Sequence, residues 1–141
     1  MEQQREGPCP NSVAVSTSGD VSVADTGNNR ILEIPWTYGA PTEVGSGLDS
    51  PHGVAVAVNG DVYIADTGND RVVEVPCDRA KRTYGAQTTV GANLFRPEAV
   101  AIGSDGRSTL RISETAVWSK FLQAATQLSR ARANNCGQPR K

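Results

Sequence analysis

The chain has 141 residues, a formal net charge of −1 and 38% hydrophobic residues, which fits one ordinary domain with no overall field drawing it to nucleic acid or an anionic membrane. Residues 1–113 carry 9 Lys/Arg against 14 Asp/Glu, whereas 114–141 carry 5 against 1, so the body is acidic and the tail is a different, basic kind of segment. The longest apolar run, Val54 to Val58, is far below the roughly 18 residues that a membrane span needs.

Taken in chain order, residues 1–9 open with Met1 followed by Glu2, Gln3, Gln4, Arg5 and Glu6. This stretch has neither the basic start nor the apolar middle of a secretory signal, so the chain as written reads as cytoplasmic, and as secreted only if a leader has been lost. A disordered start is expected here. Next comes a repeat. Residues 10–35, PNSVAVSTSGDVSVADTGNNRILEIP, align without gaps to 51–76, PHGVAVAVNGDVYIADTGNDRVVEVP, with 15 of 26 positions identical. The connectors also match, TYGAPTEVGSGLDSP at 37–51 against TYGAQTTVGANLFRP at 83–97, with an inserted loop over Cys77–Arg82.

Each copy predicts the same run of strands. A first strand (Val13–Val15; Val54–Val58) leads to a Gly-Asp turn (Gly19-Asp20; Gly60-Asp61) and a second strand (Val21–Ala24; Val62–Ala65). The hairpin Asp-Thr-Gly-Asn follows, then a third strand (Ile31–Ile34; Val72–Val75) and a weaker fourth (Thr42–Val44; Thr88–Val90). Val, Ile and Tyr fill the strands, while Gly, Asn, Asp and Pro mark the turns. The first strands read VAV and VAVAV without polar alternation, which predicts burial on both faces, as in sheets stacked around an axis. A period of about 41–46 residues is that of four-stranded β-blades.

A third copy begins at Pro97 with PEAVAIGSDG and decays after Ser113-Glu114-Thr115. The divisions expected are a blade over 10–50, a second over 51–96, a partial one over 97–115, an amphipathic helix over 116–132 and a disordered basic tail over 133–141. In the helix, Trp118, Phe121, Leu122, Ala125 and Leu128 form an apolar stripe, with Lys120, Arg130 and Arg132 off it. Such a helix either docks on a partner or an open blade edge, or is incidental.

The segments VADTGNNRILEIP and YIADTGNDRVVEVP, with the preceding P-x-G-V-A-V stretch, resemble the NHL repeat. The resemblance covers residues 10–76 and part of 97–115 and implies an all-β fold of NHL-type β-propeller blades, with about six blades in typical members. The long connectors look like those of bacterial multi-repeat NHL proteins. Propellers close with about 4–8 blades, and stacked repeats need roughly three units, so two and a half blades form an incomplete propeller. A fragment of a longer protein is the favoured explanation. Copies completing a propeller as a homo-oligomer, or a helix capping the open face, are the others.

The repeated polar residues are Asp25, Gly27, Asn28 and Arg30 in the first copy and Asp66, Gly68, Asn69 and Arg71 in the second. The Asp carboxylates are expected to accept backbone N–H groups of the turn, the glycines to supply its positive φ, and the arginines to pair with a carboxylate. A ring of Asp holding a metal, or Arg contacting RNA, is the functional alternative, but residues repeated unchanged favour a structural role. His52, the only histidine, aligns with Asn11 and reads as a solvated or packed side chain. Cys9, Cys77 and Cys136 are odd in number and lack CxxC spacing, which fits neither a disulfide framework nor a zinc site. No nucleophile elbow, P-loop, dinucleotide fingerprint or HExxH motif is present.

The resemblance implies a sensor, scaffold or RNA-binding module, and the acidic blade region speaks against nucleic acid. The expectation is therefore a non-enzymatic module that binds protein or a small ligand, with no catalytic residue, metal or cofactor. The alternative is a piece of a propeller lyase or lactonase-like hydrolase whose catalytic residues lie on other blades. Related propeller enzymes use several His or acidic ligands around a metal, and this chain has one His.

Overall fold

The computed structural model describes residues 9–103. The expectations for 1–8, for the rest of the third copy, for the helix over 116–132 and for the tail lie outside the described residues, as does Cys136.

Two four-stranded antiparallel sheets are built from the two repeats. The first contains β1 (Pro10–Val15), β2 (Val21–Asp25), β3 (Arg30–Ile34) and β4 (Thr42–Val44) in that order. The second contains β5 (Pro51–Val56), β6 (Val62–Asp66), β7 (Arg71–Val75) and β10 (Thr88–Gly91), again in chain order. Between β7 and β10 the inserted residues form a small hairpin, β8 (Cys77–Asp78) paired with β9 (Thr83–Tyr84). Each meander follows from short β-branched runs separated by turn residues, which lets neighbouring strands in sequence pair locally. β5 ends at Val56; Ala57 starts the turn, and Val58 is exposed.

The core lies between the two sheets. Ala24, Ile31 and Val44 of the first meet Val54, Val62, Ile64, Val73 and Val75 of the second, with Leu48 from the connector closing the cluster. Register places the large residues on one face of each sheet. Val54, Ile64 and Val73 lie side by side, as do Val56, Val62 and Val75. The opposing face of the first sheet offers Ala14 and Ala24, whose small side chains allow close approach.

Burial differs between equivalent residues of the two repeats. Val13 and Val15, equivalent to Val54 and Val56, are each 61% exposed, and Ile34 is also exposed. The first strand of the first sheet is therefore not buried on both faces as its VAV sequence predicts. The reason is that no described sheet packs on the Val13–Val23–Leu32 face, whereas its counterpart in the second repeat rests on the first sheet. Residues 97–103 adopt no strand, but they run close against β5. A Cβ on Gly53 would stand 2.8 Å from the Glu98 carbonyl oxygen and 2.9 Å from the Ala99 Cα.

Ile64→Ala should destabilise the protein by about 2–5 kcal/mol through cavity formation, and the equivalent Val23→Ala by clearly less. Chemical denaturation of both variants checks this; equal losses would contradict the placement of the core between the sheets.

Candidate functional site

The hairpin that ends each blade carries the repeated polar residues. In both copies Thr-Gly-Asn forms a single 3₁₀ turn, Thr26–Asn28 and Thr67–Asn69, which delivers the next residue into the left-handed region: Asn29 at φ 56° and Asp70 at φ 51°. Positive φ thus falls on Asn29 and Asp70 and not on Gly27 or Gly68, correcting the sequence-based expectation. Asn and Asp tolerate this conformation better than other side chains. Gly68 is required for another reason. A Cβ there would lie 2.5 Å from the Asp49 carboxyl carbon, because the Gly68 N–H donates to the Asp49 carbonyl at 2.8 Å.

The aspartates also differ from expectation in their partners. Asp25 accepts from Asn28 Nδ2 at 2.9 and 3.0 Å and from Arg30 Nε at 2.8 Å. Asp66 accepts from Asn69 Nδ2 at 2.9 Å and Arg71 Nε at 2.7 Å, and its other oxygen takes the Asp49 N–H at 2.7 Å. Donors therefore come from turn and strand side chains and from the connector, not from the backbone of the turn. The β-ladder explains why: Asp25 faces Arg30 and Asp66 faces Arg71 across the hairpin. The Asp66 side chain is fully buried, and that of Asp25 slightly exposed. The Asn28 amide and then Arg30 hold the Asp25 carboxyl below the usual carboxylate range.

Two further contacts recur that the repeat alone does not announce. Thr26 Oγ1 donates to the Pro51 carbonyl at 2.7 Å and Thr67 Oγ1 to the Pro97 carbonyl at 2.6 Å, so each hairpin bonds the start of the following repeat. Asn29 Oδ1 accepts the Ser50 N–H, and Asp70 Oδ1 the Arg96 N–H, both at 2.8 Å. At the other end of each sheet, Asp20 Oδ1 accepts the Trp36 N–H and Asp61 Oδ1 the Cys77 N–H, again both at 2.8 Å. The Ser18 hydroxyl, the Trp36 N–H and Arg82 keep the Asp20 carboxyl low.

Two clefts remain. One, of about 390 Å³, lies where the repeats begin and is lined by Asn11, Ser12, His52, Gly53 and Glu98. Asn11, His52 and Glu98 each follow a repeat proline, Pro10, Pro51 and Pro97, so one repeat position supplies three different side chains to one cleft. The second, of about 360 Å³, lies between the sheets and is bordered by the inserted hairpin. There burial and the neighbouring Glu33 and Asp61 push the Cys77 thiol up, so it stays protonated near neutral pH. The Tyr84 phenol, which donates to Glu33, is pushed up strongly by burial and by that bond. Among the described residues no group of three or more His, Cys, Asp or Glu is arranged to hold a metal, and no helix is long and apolar enough to cross a membrane.

Residues 8–33 and 48–74 each match the family model of the NHL repeat. The chain carries two NHL repeats. Solved structures add the propeller architecture: hydrazine synthase of Kuenenia stuttgartiensis is similar at 19% identity and TM-score 0.55, covering 75% of this chain and 29% of that one. A streptogramin B lyase structure is similar at 22% identity and TM-score 0.58, covering 75% of this chain and 35% of that one. At these identities the likeness concerns the fold, and the NHL chain spans about a third of those proteins. No curated protein sequence matches it.

Asp66→Ala strands Arg71, Asn69 and the Asp49 N–H and should cost about 3–5 kcal/mol, more than Asp25→Ala, whose partner Arg30 is better hydrated. Gly68→Val should likewise impair folding, because its side chain meets Asp49. Urea unfolding of the variants checks both; native stability in either would overturn the structural reading of the hairpin.

A lowered folded-state pKa means that the contributions of Asp20 and Asp25 are complete above the ordinary aspartate value of about 3.9 and vanish as pH falls through their lowered values. Stability should thus decline below about pH 4, and more gently in Asp25→Asn, as measured by melting temperature against pH.

Proposed function

We propose that this chain is a non-enzymatic NHL-repeat module that binds a protein or small ligand at the cleft where its repeats begin. One observation carries the reading: the polar residues shared by both repeats are engaged in contacts within the fold, while the position after each repeat proline varies and gathers in one cleft. A constant frame with variable side chains at one end is the arrangement of a recognition surface. Asn11 offers both donors and acceptors, His52 an imidazole ring with two nitrogens, and Glu98 a carboxylate. The Val13–Val23–Leu32 face is where a further blade would pack, from this polypeptide or from a second copy.

A second reading draws on the fold shared with the lyase and synthase structures: a part of a propeller enzyme whose catalytic residues lie on other blades. Screening peptides and small molecules against the ¹⁵N-labelled chain by two-dimensional NMR separates the two. Binding is expected to shift residues around Asn11, His52 and Glu98 and to be lost in the His52→Ala, Glu98→Gln variant, with the ligand recovered intact. Hits that persist in the variant would overturn the placement of the site. Conversion of a bound compound would overturn the non-enzymatic reading.

A further inference from the structure

We propose that the cleft between the two sheets is a binding site for a small oxyanion-bearing ligand, a phosphate ester or a carboxylate. It is separate from the cleft at Asn11, His52 and Glu98, and its case is independent of the function proposed there.

The two repeats differ at two places that meet in this cleft. The turn after β1 reads Ser16-Thr17-Ser18, three hydroxyls, where the second repeat has Ala57-Val58-Asn59. The second repeat in turn carries the hairpin insertion, with Arg79 and Arg82, in a place where the first connector has no counterpart. These two departures lie on different blades, yet they border the same cleft of about 360 Å³. Hydroxyls and guanidinium groups together are the side-chain chemistry that recognises carboxylate and phosphate oxygens.

The hydrogen-bond inventory leaves donors to spare. Arg79 Nη2 donates to Thr17 Oγ1 at 2.7 Å, so the Thr17 hydroxyl accepts and keeps its own proton to donate. Arg82 makes only long contacts, 3.4 Å to Thr37 Oγ1 and 3.8 Å to Asp20, and its side chain is 62% exposed. The cleft's two carboxylates, by contrast, already have their own donors: Asp20 takes the Ser18 hydroxyl at 2.7 Å and the Trp36 N–H, and Glu33 takes the Tyr84 hydroxyl. A ligand oxyanion placed between Arg79 and Arg82 would gain charge-assisted bonds without displacing either carboxylate from its neighbours.

The test uses the full chain titrated with inorganic phosphate and, separately, with succinate, against sodium chloride at matched ionic strength. NMR shifts of residues 16–18 and 79–82 should saturate with phosphate or succinate and not with chloride. Arg82→Gln and Arg79→Gln should each weaken that binding about tenfold, the effect of losing one charged hydrogen bond. Lys81→Gln, in the same hairpin but paired with Asp78, should leave it unchanged. Tighter phosphate than succinate assigns a phosphate ester, and the reverse order a carboxylate. Shifts that follow chloride equally, or that survive both arginine variants, would overturn the proposal. So would a parent chain with no anion response whose arginine variants merely melt lower, since the arginines would then only staple the sheets together.

Discussion

The fold depends on a carboxylate taken out of water at the end of each blade. Burying a charge is costly unless it is paired and its remaining lone pairs are filled. Asp66 meets that condition through Arg71, Asn69 and the Asp49 N–H, three donors from three segments. The pairing therefore closes the hairpin and also fixes the incoming connector. From the same turn, Thr67 reaches the Pro97 carbonyl and Asp70 the Arg96 N–H. One six-residue motif thus ends its own sheet and sets the position of the next.

This coupling accounts for how sheets with few aromatic residues form a core. The apolar residues are mainly Val, Ile and Ala, and each contributes a modest area, so the sheets must approach closely to exclude water. The threonine bonds hold successive repeats at that distance. At Gly53, against the backbone of residues 98–100, even a methyl group would collide. The first sheet shows the same design from the other side. Its Val13–Val23–Leu32 face has the composition of a blade interface, yet Val13 is exposed and Val23 and Leu32 are only half-buried, so apolar pattern specifies a packing face whether or not a neighbouring sheet covers it.

The strands were legible because β-branched runs and turn residues act locally, and the repeat doubled every signal. β2, β3, β6 and β7 start or end within one residue of where sequence places them. What stayed hidden was tertiary. A glycine in a hairpin ordinarily signals positive φ, but the 3₁₀ turn passes that conformation to Asn29 and Asp70, and Gly68 is needed because Asp49 crosses over it. Likewise VAV announces two buried faces, although whether a second sheet covers Val13 is not written in β1. The alignment of His52 with Asn11 was visible in the repeat. That Glu98 joins them in one cleft required the third copy to be laid beside β5.

The two clefts illustrate a division of labour that repetition imposes. Residues retained in both copies, such as Asp25 and Asp66 or Thr26 and Thr67, are held by contacts that every blade must make, and changing one disturbs the stack. Positions free of that duty can diverge. The residue after each repeat proline and the turn after β1 are such positions, and the five-residue insertion adds new ones. The first sheet forms its equivalent turn-to-strand bond, Asp20 to the Trp36 N–H, without any insertion. The insertion is therefore not needed to fold a blade, and what it adds is a pair of guanidinium groups facing three hydroxyls.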